Sequence, residues 1–233
     1  MKRTLCLALV FILCLVSISC SSAPSTPIPG PTAEVQNELV VLRNDAKIEF
    51  PTAITFNVEA ESPTNITQIS LQYKVSKVSF IPITSVATPE FEPSPRVKAS
   101  WTWQMKKTGG LPPGAEVKYQ WLIEDAMGRR LETPSATVNF EDDRYSWNKL
   151  TSGKAGLFWY KGSESFGQEL IDAAQQGLSK LVNDTGANLE KPAKIYIYAN
   201  SQDLHGARIF PQEWEGGVAF TEHGIIVIGI APN

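Results

Sequence analysis

Lys191-Pro192-Ala193-Lys194-Ile195-Tyr196-Ile197-Tyr198 is a short β-branched and aromatic run opened by a proline. It has the composition of a strand. After a polar loop comes Gly216-Gly217-Val218-Ala219-Phe220-Thr221-Glu222-His223-Gly224-Ile225-Ile226-Val227-Ile228-Gly229-Ile230. Two apolar runs flanking Thr221-Glu222-His223-Gly224 predict a hairpin with a glycine in its loop. Residues 225–230 are apolar on both faces, which predicts a buried strand covered on each side. Only one helix candidate lies upstream. The spacing of Phe166, Leu170, Ala173, Ala174, Leu178, Leu181 and Val182 predicts an amphipathic helix over 165–183. Ser165 as N-cap with Gln168 three residues on would start it, and Gly186 would end it. With a further short strand at 155–160, the order is strand, helix, strand, hairpin. One helix cannot cover both sides of such a sheet, so residues 142–233 are expected to form an incomplete α+β domain.

Upstream the period changes from helical to two. Ile54, Phe56, Val58 and Ala60 share a strand face, as do Ile69, Leu71, Tyr73 and Val75. Val97, Ala99, Trp101, Trp103 and Met105 form a third set, and Val117, Tyr119, Trp121 and Ile123 a fourth. Residues 39–43, 46–50 and 136–140 are further strand candidates. Turn clusters at 62–65, 89–95, 109–114 and 125–128 separate them. About seven alternating strands without a helical period indicate an antiparallel β-sandwich over 38–141. Trp101, Trp103 and Trp121 could stack on sugar rings, but at alternate strand positions they are read as sandwich core or half-covered surface. Glu141-Asp142-Asp143-Arg144 reads as a charged break after the last sandwich strand.

The chain has 233 residues, with 21 Lys and Arg against 24 Asp and Glu, a formal net charge of −3. Its basic residues are scattered, and Lys106-Lys107 and Arg129-Arg130 read as solvated turn pairs. Nucleic acid is therefore excluded as a partner, since phosphate binding needs clustered cations. All three cysteines, Cys6, Cys14 and Cys20, lie in the first twenty residues. If that segment is removed, the body has no disulfide, thiol nucleophile or cysteine ligand.

Met1-Lys2-Arg3 followed by a short apolar run and Ser17-Ile18-Ser19-Cys20 is a leader pattern. Residues 1–20 resemble a bacterial lipoprotein signal, which implies lipidation at Cys20. The position three before Cys20 is Ser17, where that family usually has Leu. An ordinary signal peptide cleaved near Cys20 or Ala23 is the alternative. Either route exports the protein, and the lipid route anchors it to the membrane. Residues 21–37, rich in Ser and Pro, read as a tether.

Leu111-Pro112-Pro113-Gly114-Ala115-Glu116-Val117-Lys118-Tyr119 resembles the strand entry of immunoglobulin-like and fibronectin type III domains, which implies a corner role for Tyr119 with its hydroxyl bonded back to the chain. The antibody cysteine pair is absent, which favours the fibronectin-like version. The fold class expected is thus an Ig/fibronectin III-like β-sandwich followed by an incomplete α+β domain.

A second resemblance covers roughly 145–233. Tyr145-Ser146-Trp147, Phe158-Trp159-Tyr160, Phe166-Gly167 with its helix, Pro192 before 195–198, and Gly216-Gly217-Val218-Ala219-Phe220 look like the opening of a peptidase MA-like domain, of the gluzincin zinc metallopeptidases. In that group a helix carrying His-Glu-x-x-His comes next. The motif sets two zinc ligands one turn apart, with a glutamate that polarises water. It occurs nowhere here. The only histidines, His205 and His223, fall in predicted loops and are read as solvent-facing, and Glu213, Glu215 and Glu222 as solvated loop charge. No catalytic and no metal residue is therefore expected, and zinc only where a downstream His-Glu-x-x-His segment exists. The resemblance implies one role in this chain: Gly217, Val218, Ala219 and Phe220 as an edge strand that pairs an extended substrate. The function expected is an exported, membrane-anchored lipoprotein resembling the N-terminal part of a zinc metallopeptidase, inactive as it stands, with a peptide or protein as partner. The alternative is a non-enzymatic surface lipoprotein binding envelope polymers or proteins through its sandwich. A solute-binding lipoprotein is a third reading, disfavoured because one α+β unit cannot supply two lobes.

Overall fold

A computed structural model describes residues 38–78 and 83–232. The leader, Cys20 and the tether lie outside the described residues. Seven strands form the first half: β1 (Val40–Glu49), β2 (Ala53–Val75), β3 (Ser85–Ala87), β4 (Ser94–Gln104), β5 (Ala115–Asp125), β6 (Arg130–Glu132) and β7 (Ala136–Phe140). All pairings among them are antiparallel. β2 belongs to two layers. Residues 53–61 pair with β1 on one side and β4 on the other. Residues 66–75 pair with β5 and β3, and β5 pairs in turn with β6 and β7. The inward residues are those of the period-two reading: Ile54, Phe56, Val58 and Ala60 face Ile69, Leu71, Trp121 and Ile123 in one cluster.

Four local expectations are corrected. Residues 39–43 and 46–50 are not two strands but the single β1, which absorbs the break as a register shift between Val41 and Arg43. The cluster 62–65 does not end a strand; β2 runs through it with a register shift. Ser62 is buried there and donates to Asp125 Oδ2 at 2.6 Å, while Arg129 reaches Ser62 Oγ at 3.3 Å and Thr64 Oγ1 at 3.2 Å. Arg129 is thus no freely solvated turn residue: it ties the β5–β6 turn to the corner of β2. Tyr119 does not act as a corner. Its ring is buried edge-on to Phe56, centroids 4.8 Å apart, and among the described residues its hydroxyl makes no hydrogen bond.

The second half is a five-stranded sheet of order β11-β12-β10-β9-β8. Its strands are β8 (Asn148–Ser152), β9 (Ala155–Trp159), β10 (Ala193–Tyr198), β11 (Gly217–Phe220) and β12 (Ile225–Gly229). β10 runs parallel to β9 and β12, and the two edge pairings are antiparallel. Helix α1 (Glu164–Thr185) makes the β9–β10 crossover, as a parallel pair requires. Its N-cap is Ser163 rather than Ser165, because Ser163 Oγ is the acceptor for Phe166 N, at 3.2 Å. Gly186 closes it at φ 72°.

The sheet is covered on both sides, by two different means. Leu157, Trp159 and Ile197 face α1 and Ile171. Tyr196, Tyr198, Ile225 and Val227 point the other way and join the core of the sandwich. Far from being a charged break, 141–144 supplies the polar part of this junction. The Asp142 carboxylate is buried, bound by the Arg144 guanidinium (2.8 and 2.7 Å), the Arg144 amide (3.2 Å) and the Tyr198 hydroxyl (2.8 Å). Tyr196 donates to Glu141 Oε2 at 2.9 Å, and Lys194 Nζ to Gly114 O at 2.7 Å. On the helix side the cover is incomplete, since Ile226 stays 37% exposed.

Candidate functional site

Strand β11 is one edge of the five-stranded sheet, and among the described residues no strand pairs with its outer side. Its register with β12 fixes which backbone groups are free. Gly229 N donates to Gly216 O at 2.9 Å, which makes Gly216 and Gly229 a hydrogen-bonded pair. Bonded and non-bonded pairs alternate along an antiparallel ladder. Val218 and Phe220, opposite Val227 and Ile225, therefore turn their amides and carbonyls inward. Gly217 and Ala219, opposite Ile228 and Ile226, turn theirs outward. Both are exposed, and neither has a side chain longer than a methyl group. The edge thus offers two donors and two acceptors at strand spacing, unobstructed by bulk.

The approach to this edge is held firmly. Helix α2 (Ser201–Gly206) follows β10, capped by Asn200, whose Oδ1 accepts from Asp203 N at 2.8 Å. Beyond it, Arg208 Nη1 and Glu215 Oε1 stand 2.8 Å apart as a largely buried ion pair. The Arg208 guanidinium also lies 5.0 Å from the centroid of the Phe220 ring. His205 Nε2 lies 3.1 Å from Glu215 O, so it acts as a donor to that carbonyl.

Zinc does not fit the residues present. His205 uses Nε2 on the Glu215 carbonyl, near the start of β11, while His223 lies in the turn past its end. Among the described residues no three His, Cys, Asp or Glu side chains converge as a metal site would need. Neither histidine is solvent-facing as expected; both are partly buried, and His205 belongs to α2 rather than a loop. Burial, with the nearby Lys77 charge, pushes the His223 imidazole down from its ordinary value. Glu215 is buried in its ion pair rather than solvated, and Glu222 pairs with Lys77.

The phenols behind the edge are structural acids kept neutral. Burial, then Asp142, pushes the Tyr198 hydroxyl far above its usual range. Burial, then Asp203, does the same to Tyr160, which donates to Asp203 Oδ2 at 2.6 Å and accepts from Ala199 N at 2.9 Å. Both phenols donate to neighbouring carboxylates, Tyr160 to Asp203 and Tyr198 to Asp142. What the arrangement can do chemically is pair an extended strand along β11.

Trp121 and Trp103 are buried in the core, and Trp101, half-buried, packs against it with its ring centroid 5.1 Å from that of Tyr73. Sequence reading missed β8, α2 and the Arg208–Glu215 clamp. The cap signal Asn200-Ser201-Gln202-Asp203 could have found α2. The clamp has no local signature, because its partners meet only through the fold.

Residues 173–233 match the family model of the Peptidase MA superfamily. The C-terminal segment, β10 to β12 included, therefore resembles the peptidase MA group, and the likeness covers that segment alone. A comparison with curated proteins finds no match. Among solved structures, OgpA from Akkermansia muciniphila is 14% identical, covering 46% of this chain and 28% of its own, with a TM-score of 0.33. The matched part is less than a third of the OgpA chain. OgpA has also been crystallised, catalytically inactive, with an O-glycopeptide substrate. The third fibronectin III domain of human KIAA0343 is 12% identical, covering 55% of this chain and 100% of its own, TM-score 0.33. A polysaccharide deacetylase from Bacillus cereus is 10% identical, covering 70% and 52%, TM-score 0.32.

Proposed function

We propose that this chain is an exported lipoprotein, anchored through Cys20, that carries a metallopeptidase-like region and binds extended peptide by backbone pairing at Gly217–Phe220. The observation that carries it is the free, unobstructed edge of β11 inside the segment that matches the Peptidase MA superfamily. By itself the chain binds without cleaving. Hydrolysis by the metallopeptidase route needs a water polarised by a zinc held by three or more ligands, and among the described residues no such ligand set converges. The leader pattern and the Ser/Pro-rich tether support an exported body held outside the membrane. The experiment is a pair of measurements on the processed full chain: hydrolysis of casein with added zinc, and binding of blocked extended hexapeptides by calorimetry. No cleavage together with saturable peptide binding is expected. Zinc-dependent cleavage lost on His205→Ala or His223→Ala, or an absence of any peptide binding, would overturn it.

A further inference from the structure

Trp214 is 84% exposed and Phe210 56% exposed, and no other aromatic side chain among the described residues is as open to solvent. Both sit on the stretch 207–216 that leads into β11. Exposed tryptophan is costly to leave in water, since most of its surface is apolar. A Trp at the tip of a slack loop would call for no explanation, but this turn is not slack. Glu215 N donates to Gln212 O at 3.0 Å, closing a turn around Glu213 and Trp214. The next side chain, Glu215, is buried against Arg208, which itself rests on Phe220 of β11. Gly216 O is bonded to β12. A desolvated ion pair is weak as a source of stability. Here its geometric effect is to fix the turn that holds Trp214 out, in register with the strand carrying the free edge.

Trp214 stands three residues before Gly217. At no more than about 3.6 Å per residue, its Cα lies within roughly 11 Å of the first outward backbone pair. A strand laid along β11 and running past Gly217 brings its next side chains to that distance. Gly217 and Ala219 offer such a strand almost no side-chain contact of their own. Side-chain recognition then falls to the aromatic pair. The outward amides and carbonyls of Gly217 and Ala219 repeat at strand spacing, the repeat of an extended peptide backbone, so the occupant argued for is a peptide.

We infer that Trp214, assisted by Phe210, is the specificity-determining element of this edge and selects an extended peptide with an aromatic or bulky apolar side chain beyond the Gly217 end. The inference rests on the edge-pairing reading above. Aromatic contacts of this kind contribute about 0.5–1.5 kcal/mol beyond area burial, which converts to roughly 2- to 12-fold in affinity.

The test uses the processed full chain and two blocked hexapeptides of Thr and Ser, one carrying a single Phe and the other Ala in its place, with binding read by calorimetry. The Phe peptide should bind roughly 2- to 12-fold tighter to the native protein. Trp214→Ala should erase that difference and leave the Ala peptide unaffected, and Trp214→Phe should keep part of it. Ala219→Pro removes one outward donor and should weaken both peptides alike. A Phe preference that survives Trp214→Ala overturns the inference while leaving edge pairing intact. Peptides that bind neither the native chain nor any variant, or that ignore Ala219→Pro, overturn edge pairing and this inference with it. Binding of a soluble β-glucan that is lost on Trp214→Ala, with no Phe preference among the peptides, overturns it in favour of sugar stacking.

Discussion

Replacing Tyr198 by Phe removes one oxygen at the junction between the sandwich and the second sheet. Tyr198 is fully buried, and its hydroxyl donates to Asp142 Oδ2 at 2.8 Å. Asp142 is bound by Arg144 at 2.8 and 2.7 Å as well, so Tyr198→Phe does not orphan the carboxylate. The ring and its packing against Trp147, centroids 5.3 Å apart, remain. What is lost is one charge-assisted hydrogen bond in a dry site, about 1.5–3 kcal/mol, and the three bonds retained from Arg144 put the figure near the lower end. For a body of about 200 residues, 1 kcal/mol is worth roughly 2–4 °C in Tm, so the melt should fall by about 3–8 °C. Asp142→Ala should cost more, about 3 kcal/mol, since it leaves the Tyr198 hydroxyl unpaired while Arg144 keeps contact with water. Scanning calorimetry and urea unfolding followed by tryptophan fluorescence measure both. Because the two sheets share one core, each variant should keep a single transition. A Tyr198→Phe protein that melts within 1 °C of the native one would refute the reasoning. So would a melt that splits in two, with only the C-terminal half affected.

Four further outcomes are expected. Gly114 has φ +74°, and an added Cβ would lie 2.1 Å from Tyr196 Oη, so Gly114→Ala should cost more than about 3 kcal/mol in urea unfolding. Val218→Pro removes an inward amide of β11 and should lower Tm markedly, whereas Ala219→Pro removes only an outward one and should leave Tm nearly unchanged. Stability should fall as pH drops below about 6.5, because His223 is held below that ordinary value when folded and its protonation favours the unfolded chain. It should fall faster below about 4, where Asp125 protonates in the unfolded chain. Burial opposes that carboxylate, but hydrogen bonds from Ser62, Arg129 and Met127 outweigh it and hold it well below the usual range. Thermal melts between pH 3 and 8 check this, and a native protein whose Tm is flat from 7.5 to 5 would contradict the histidine part. Finally, Cys20→Ala should move the protein from the membrane to the soluble fraction of cells expressing it.

Local periodicity alone made the faces of the main elements legible. Alternation at 54–60, 69–75 and 117–123 placed the inward faces of the sandwich, because a strand's side chains repeat every two residues whatever it packs against. Helical spacing from 166 to 182 and Gly186 at its end located α1 by the same kind of rule. The hairpin at 217–229 followed from its apolar flanks and glycine turn. The tertiary structure alone decided what depends on partners distant in the chain. Residues 225–230 read as a strand lacking cover on one side, and that cover proved to be the sandwich itself. Asp142 read as part of a charged break and Glu215 as solvated charge, yet both are buried, because Arg144, Tyr198 and Arg208 meet them there. The edge strand was legible as a segment. Which of its backbone groups face outward was not, since a one-residue change of register exchanges them, and the register is fixed only by the pairing of β11 with β12.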